Sequence, residues 1–470
     1  MHKTNFHRFT KSNWIIVNFF MAKRDKNLTE GNIKKQLISL TWPMLLGITG
    51  MVIFNLVDTF FVGKLGVHEL AAMSFSFPVV MFLNSLSQGV GIGTSSLISR
   101  NIIHAERHEV KLMASRAILL GVLIVMVFVL AGLFTIRPVF SALGAEGDVL
   151  DYIHDYMQIW YFGVPFVVIP MIGNNIVRAT GDTFTPGMIM AITAIVNAIL
   201  DPLLIFGIGP FPKMGIKGAA LATVITRAIG LLAILFILIK KEKLLSIKFG
   251  YVKNILSTWK SVLYIAGPAS LTLLITPISV GFLTKILAGY GKEAVAAFGV
   301  ASRVEMFALM VIMALGSVLI IFVGQNFSKH KYDRINTGLS YSFKFSMVWG
   351  ALIFVILLVL GNSIASIFSD DPTVTGITKM YFVIIGASYG FQGFVVLSAS
   401  SFNGLNKPYP STIFSIIRML VLYVPLAWVG STLLGINGVF WAGLIANVTV
   451  GVFSGKYLFR TVRNIKLNNS

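Results

Sequence analysis

The sequence predicts an all-α integral membrane protein: twelve transmembrane helices in two pseudo-symmetric six-helix lobes around a central cavity. Three observations carry that prediction. Of 470 residues, 56% are hydrophobic and 12% charged, with a mean hydropathy of +0.83, which is far too apolar for an ordinary soluble domain. Apolar runs of about 20 residues or more recur from end to end, the length a helix needs to cross a bilayer. The two halves of the chain also repeat one another.

The spans fall at 36–62, 69–99, 112–135, 156–177, 187–208, 217–239, 261–288, 294–323, 343–368, 379–402, 412–433 and 436–458. They divide the chain into a tail (1–35), an N-lobe (36–239), a linker (240–260), a C-lobe (261–458) and a second tail (459–470). In the first span Trp42-Pro43 is followed by the run Phe54 to Gly63, and Pro43 removes one helical hydrogen bond. The fourth span ends on Arg178-Ala-Thr-Gly-Asp-Thr-Phe-Thr-Pro186, and the tenth on Phe402-Asn-Gly-Leu-Asn-Lys-Pro-Tyr-Pro410. Both segments read as tight turns with a hinge or helix-capping role. An even span count puts both termini on one side. Taking that side as cytoplasmic places about 28 Lys and Arg inside against about 7 outside. The inner set includes the basic stretch Lys240 to Lys260, and the outer side holds Glu146, Asp148, Asp151 and Asp155.

The repeat has a constant offset of 225 residues: Pro43 pairs with Pro268, Gly66 with Gly291, Ala71-Ala72 with Ala296-Ala297, Gly91 with Gly316 and Asn101 with Asn326. The loop Gly209-Pro210-Phe211-Pro212 absorbs five residues, after which Gly215, Gly218 and Ala222 pair with Gly435, Gly438 and Ala442. Duplication of a six-helix unit explains both facts, and it gives two lobes of the same orientation around an axis along the membrane normal.

Several function classes drop out. With no cysteine there are no disulfides or thiolate sites. The net charge of +20 lies between apolar spans, where it sets topology, so nucleic acid is not a partner. There is no Gly-x4-Gly-Lys-Ser/Thr phosphate loop, and the seven histidines lie at or near loops, which leaves no catalytic constellation. The short apolar stretch before Met21 lacks a cleavage site; Met21-Ala-Lys-Arg reads as a start, with the preceding residues an extension.

Two acids stand out. Asp58 lies in the first span, three residues after Asn55; Asp201 lies in the fifth, four after Asn197 and directly before Pro202. Each pair shares a helix face. A carboxylate at mid-membrane costs about 3 kcal/mol by the conservative scales, and such groups face cavities that handle ions or protons. The offset takes Asp58 to Leu283 and Asp201 to Leu426, so a site built on these acids belongs to the N-lobe alone. Neutralisation by Arg227 or by helix ends is the structural alternative. Arg303 and Glu305 in the eighth span either pair with each other or line the C-lobe, in a structural or gating role shared with Pro43, Arg178 and Pro202.

Four motifs then resemble multidrug and toxic compound extrusion (MATE) transporters: Asn-Leu-Val-Asp-Thr-Phe-Phe-Val-Gly ending at Gly63, Arg178-Ala-Thr-Gly-Asp-Thr183, the Asn-x3-Asp-Pro of span five, and Gly-x2-Gly-Ala-Ala-x-Ala-Thr ending at Thr223. The resemblance runs from about Leu28 to Arg463. It implies alternating-access export of amphipathic or cationic drug-like compounds in exchange for protons or sodium, with no cofactor. It also implies a prokaryotic inner membrane, both termini cytoplasmic, membrane lipids as surroundings and a monomer as the working unit. Within the family the chain looks most like the DinF-type branch, which implies cation or proton coupling at Asp58, Asn197, Asp201 and Thr223, with Asn55 nearby and a sodium site at Asn197, Asp201 and Thr223. Some members of that branch have Tyr where this chain has Phe54. A related two-lobe fold that flips lipid-linked oligosaccharides is the alternative reading.

Overall fold

Every backbone polar group inside a bilayer has to be satisfied within its own helix, and the chain meets this demand with long, nearly unbroken helices. The computed structural model describes residues 27–245 and 254–469, apart from the side chains of 55, 56, 59, 63 and 67–71. The extension expected before Met21 falls outside them. The helices are α1 (Ile33–Gly63), α2 (Val67–Asn101), α3 (Arg107–Ala142), α4 (Gly147–Ala179), α5 (Phe184–Phe206), α6 (Ile216–Lys241), α7 (Ile255–Ala288), α8 (Lys292–Ser328), α9 (Tyr332–Ser366), α10 (Pro372–Gly386), α11 (Tyr389–Gly404), α12 (Pro408–Leu434) and α13 (Ile436–Asn468).

Among the described residues, eleven helices are long and apolar enough to cross a membrane, and α10 with α11 forms a twelfth crossing bent by 58°. The expected span over 379–402 falls within this pair, broken at the bend. Its site at Ala387-Ser388 has no proline to announce it. Most helices also overrun their expected spans: α1 begins at Ile33, α7 begins within the expected 240–260 linker, and α13 continues to Asn468. Hydropathy marks the part of a helix inside the bilayer, whereas hydrogen bonding carries the helix on into the headgroup region and beyond.

The duplication is visible in the packing. In the first half α1 pairs with α5, α2 with α4 and α4 with α6; in the second, α7 pairs with α12, α8 with α11 and α11 with α13. The lobes meet where α2 packs on α7 and α8, and α1 on α8. Small residues allow that contact. A Cβ at Gly93 would stand 2.5 Å from the Val262 carbonyl, and one at Gly324 2.2 Å from Ser99 Oγ. At the same end, which carries both termini, Leu28 N donates to Gln325 Oε1 at 3.0 Å, and Asn326 Nδ2 donates to the Leu28 carbonyl at 3.1 Å.

The turn after α4 is a structural cap, as its residues suggest. Gly181 takes φ 94°, and Asp182 then accepts hydrogen bonds from Thr185 N at 3.0 Å and Thr185 Oγ1 at 2.7 Å. Lys241 Nζ, at the end of α6, reaches the same carboxylate at 2.8 Å, with side chains 10% and 3% exposed. Burial alone would raise the Asp182 pKa, but the bonds from Lys241 and Thr185 outweigh it and hold the acid below its ordinary 3.8.

Breaking a buried pair by removing one member costs about 3–5 kcal/mol, so Asp182→Ala should lower thermal unfolding of the protein in nanodiscs accordingly. A depressed acid contributes stability that is present above its unfolded-state value and lost as pH falls through the lower folded one. The difference between parent and variant should therefore hold at neutral pH and shrink only below 3.8.

Candidate functional site

The site grows from a close, parallel pairing of α1 and α5. A Cβ at Gly47 would lie 2.9 Å from Gly187 Cα, one at Gly50 3.1 Å from Ala191 Cα, and one at Gly187 2.3 Å from the Pro43 carbonyl. Thr183 Oγ1 donates to the Leu40 carbonyl at 2.9 Å at the base of the pair. At the other end Phe61 meets Phe206 edge-on at 6.2 Å, and Val62, Ile205 and Ala219 form a small apolar cluster. Between the glycine contact and this apolar cap the shared register brings Asp58 alongside Asn197 and Asp201.

All three are buried, with Asp58 5% exposed and Asn197 and Asp201 0%. Asn197 Nδ2 donates to Asp201 Oδ1 at 3.0 Å, as the four-residue spacing predicts. The two carboxylates lie within electrostatic reach of each other, and Asp58 within reach of Arg227 and Tyr156. The Arg227 guanidinium stands 4.7 Å over the Phe54 ring. Asp58 Oδ1, Asn197 Oδ1, Asp201 Oδ2, Thr226 Oγ1 and Arg227 Nε have no hydrogen-bond partner among the described residues. Three unpartnered acceptor oxygens therefore lie on buried side chains of α1 and α5, an arrangement with the capacity to accept a proton or a small cation.

The other expected residues are placed less centrally. Thr223 is buried on α6, one turn before Arg227, and takes no part in the hydrogen bond that joins Asn197 to Asp201. The Asn55 side chain lies outside the described residues. Pro43 and Pro202 both sit inside uninterrupted helices, and Pro202 deprives the Ala198 carbonyl of its helical donor next to Asp201. Arg178 Nη1 approaches Met44 Sδ at 3.8 Å. In the other lobe Arg303 is exposed and Glu305 hydrogen-bonds to Tyr381 and Gln392, so the two do not pair with each other.

Below the acids, inside the first lobe, a cavity of about 80 Å³ is lined by Phe54, Asn84, Gln88, Asn174, Arg178 and Arg227, among others. That is room for a few waters. Arg227 belongs to both cavity and acid cluster and links the two. Sequence reading missed Tyr156 and took Arg227 as a neutraliser or an embedded basic residue of the cavity; Tyr156 has no local motif to mark it.

The comparisons fit this arrangement. The MatE family model matches residues 43–203 and again 268–429, which reproduces the internal repeat. The chain belongs to the MATE transporter family. A protein of Shewanella oneidensis named FAD transporter is 38% identical over 425 residues, spanning 90% of this chain and 94% of that one. The multidrug export protein MepA of Staphylococcus haemolyticus is 27% identical over 440 residues, covering 93% and 95%. The Vibrio cholerae MATE transporter VcmN in its bent form superposes with a TM-score of 0.87 at 30% identity, covering 92% of this chain and 98% of that one. The two-lobe membrane-transporter fold is therefore that of the family, and its members are transporters rather than enzymes.

The glycine pairing generates a test. Gly47→Leu should separate α1 from α5 and cost about 1–3 kcal/mol of stability, as overpacking does. Gly281→Leu, where a Cβ meets nothing within 4 Å, should leave thermal unfolding unchanged.

Proposed function

We propose that the chain is a cation-coupled exporter of small organic compounds that works by alternating access, with the cation bound in the first lobe. The observation that carries this reading is the buried pair Asp58 and Asp201, whose unpaired oxygens point to one site shared by α1 and α5. A proton or sodium ion arriving there neutralises buried charge and changes how α1 packs on α5. Since α1 also packs on α8 of the other lobe, the change biases the balance between the two access states, and bound cargo is released as the states exchange. In this reading the protein sits in a prokaryotic inner membrane with both termini cytoplasmic, acts as a monomer, and exports amphipathic or cationic drug-like molecules.

A second reading of the cargo has its own support. Arg178 and Arg227 put positive charge on the wall of the first-lobe cavity, a charge that attracts an anionic compound and repels a cationic drug, and the Shewanella relative is named for FAD. Competition of unlabelled FAD and of a cationic dye against each other's transport separates the two readings. For the lipid-linked alternative, no observation of comparable weight speaks.

The test is transport into proteoliposomes with pH and sodium gradients imposed separately. The parent should move cargo under one gradient. Asp58→Asn and Asp201→Asn should each reduce gradient-driven transport at least about tenfold while folding normally, as loss of an intramembrane charge site does. Undiminished transport by both variants would reject the coupling site.

A further inference from the structure

The residues that lead into and open α1 fold into a hook. Asn27 Oδ1 accepts from Thr29 N at 3.0 Å and from Thr29 Oγ1 at 2.7 Å, and Gly31 turns the chain at φ 77°. The Asn32 side chain then caps α1 by accepting from Lys35 N at 3.0 Å. Gln36 Nε2, on the first turn of α1, reaches back to the carbonyls of Asn27 and Glu30. The segment is thus a formed extension of α1, which belongs to the first lobe through its pairing with α5.

This first-lobe element seats on the second lobe. Four consecutive carbonyls are taken by donors at the end of α8 and the start of α9. Leu28 is held by Asn326 Nδ2 at 3.1 Å and Arg334 Nη2 at 3.2 Å, Thr29 by Lys331 Nζ at 2.9 Å, Glu30 by Arg334 Nη2 at 3.2 Å and Gly31 by Arg334 Nη1 at 2.9 Å. Arg334 also donates from Nε to Asn326 Oδ1 and from Nη2 to Gln36 Oε1, each at 3.2 Å, so one guanidinium organises both the seat and the hook. Leu28, 2% exposed, adds an apolar anchor in the core of the second lobe.

Gln325 joins the hook to the contact between the lobes. It is fully buried; its Oε1 accepts from Leu28 N, and its Nε2 donates to the Ala179 carbonyl at the end of α4 at 3.4 Å. Beside it Gly324 stands against Ser99, and Ser96 Oγ donates to the Asn403 carbonyl. Hook, α4 and α8 therefore share one amide where the lobes touch.

Duplication does not account for the seat. At the offset of 225, the counterparts of Gln325, Lys331 and Arg334 are Arg100, Glu106 and Glu109, and two carboxylates in place of Lys331 and Arg334 have no proton to donate at neutral pH. The grip is also built to let go. Leu28 is the one large apolar side chain among residues 27–32, and Glu30, Gly31 and Asn32 are exposed, so carbonyls that leave Arg334 and Lys331 exchange those bonds for water.

We propose that residues 27–36 are a latch by which the first lobe holds the second shut at the end carrying the termini, with Arg334 as its keystone, and that this end opens only when the latch leaves its seat. Its role in transport rests on the alternating-access reading, and on neither the coupling ion nor the cargo.

The chain has no cysteine, so exposed positions take pairs of spin labels: His104→Cys with Lys329→Cys across the lobes at the latched end, and Glu146→Cys with Asp370→Cys at the opposite end. Double electron–electron resonance on the full chain in nanodiscs reads each distance. The parent should hold the first pair mainly at its short distance. Arg334→Ala should raise the open-to-closed ratio of that pair about tenfold, the worth of one hydrogen bond to a charged group, with the second pair closing in step. Arg334→Lys, which keeps the charge without the fork, should raise it less. A first-pair distribution that Arg334→Ala leaves unchanged overturns the latch. If that variant is not monodisperse, Leu28→Ser, which unseats the hook from its own side, decides in the same way. A first pair that opens while the second stays fixed keeps the latch and rejects alternating access instead.

Discussion

The close contact of α1 with α5 through Gly47, Gly50 and Gly187 is the constraint on which the first-lobe site depends. Two helices that approach this closely cannot keep large side chains between them, so the polar groups further along the same faces are forced together. Asp58 and Asp201 are brought into one desolvated pocket, where like charges oppose each other and hydration is unavailable. The fold supplies fewer donors than the carboxylates can accept. In the proposed function, the acceptors that the helices leave unpartnered are those a cation would meet.

The same economy of small residues holds the lobes together at the end carrying the termini, where Gly93 and Gly324 admit Val262 and Ser99. That close approach also lets large apolar groups meet across the lobes: Leu37, Leu40 and Met44 of α1 join the core of α8 to α13, and Val262 and Ala266 of α7 join that of α2, α3, α4 and α6. In the proposed mechanism the exchange of access states has to rearrange these contacts.

Much of the fold was legible because bilayer insertion leaves a coarse signal: long apolar runs, charges between them, and a repeat that survived in glycines and prolines such as Pro43 and Pro268. The acids of the first lobe were legible for the same reason, since Asp58 and Asp201 are out of place in apolar runs. The bend at Ala387-Ser388 was not, because no proline or charge marks it; Ser388 there accepts a hydrogen bond from Asn447, a contact distant in sequence. Looking for acids at counterpart positions finds Leu283 and Leu426, while Glu305, singled out in the sequence as a C-lobe lining residue, enters from a different helix; its partners Tyr381 and Gln392 carry no local motif. The pairing of Arg303 with Glu305 failed because neighbours two apart on a helix face different sides, one to the surface and one to Tyr381.

The central claim is that Asp58 and Asp201 act as one cation site and not as two independent acids. A double-mutant cycle on gradient-driven transport tests it most directly, comparing Asp58→Asn, Asp201→Asn and the combined variant in the same proteoliposomes. A shared site predicts that the combined variant transports no worse than the weaker single variant. Losses that multiply would mean two separate sites and would contradict the account.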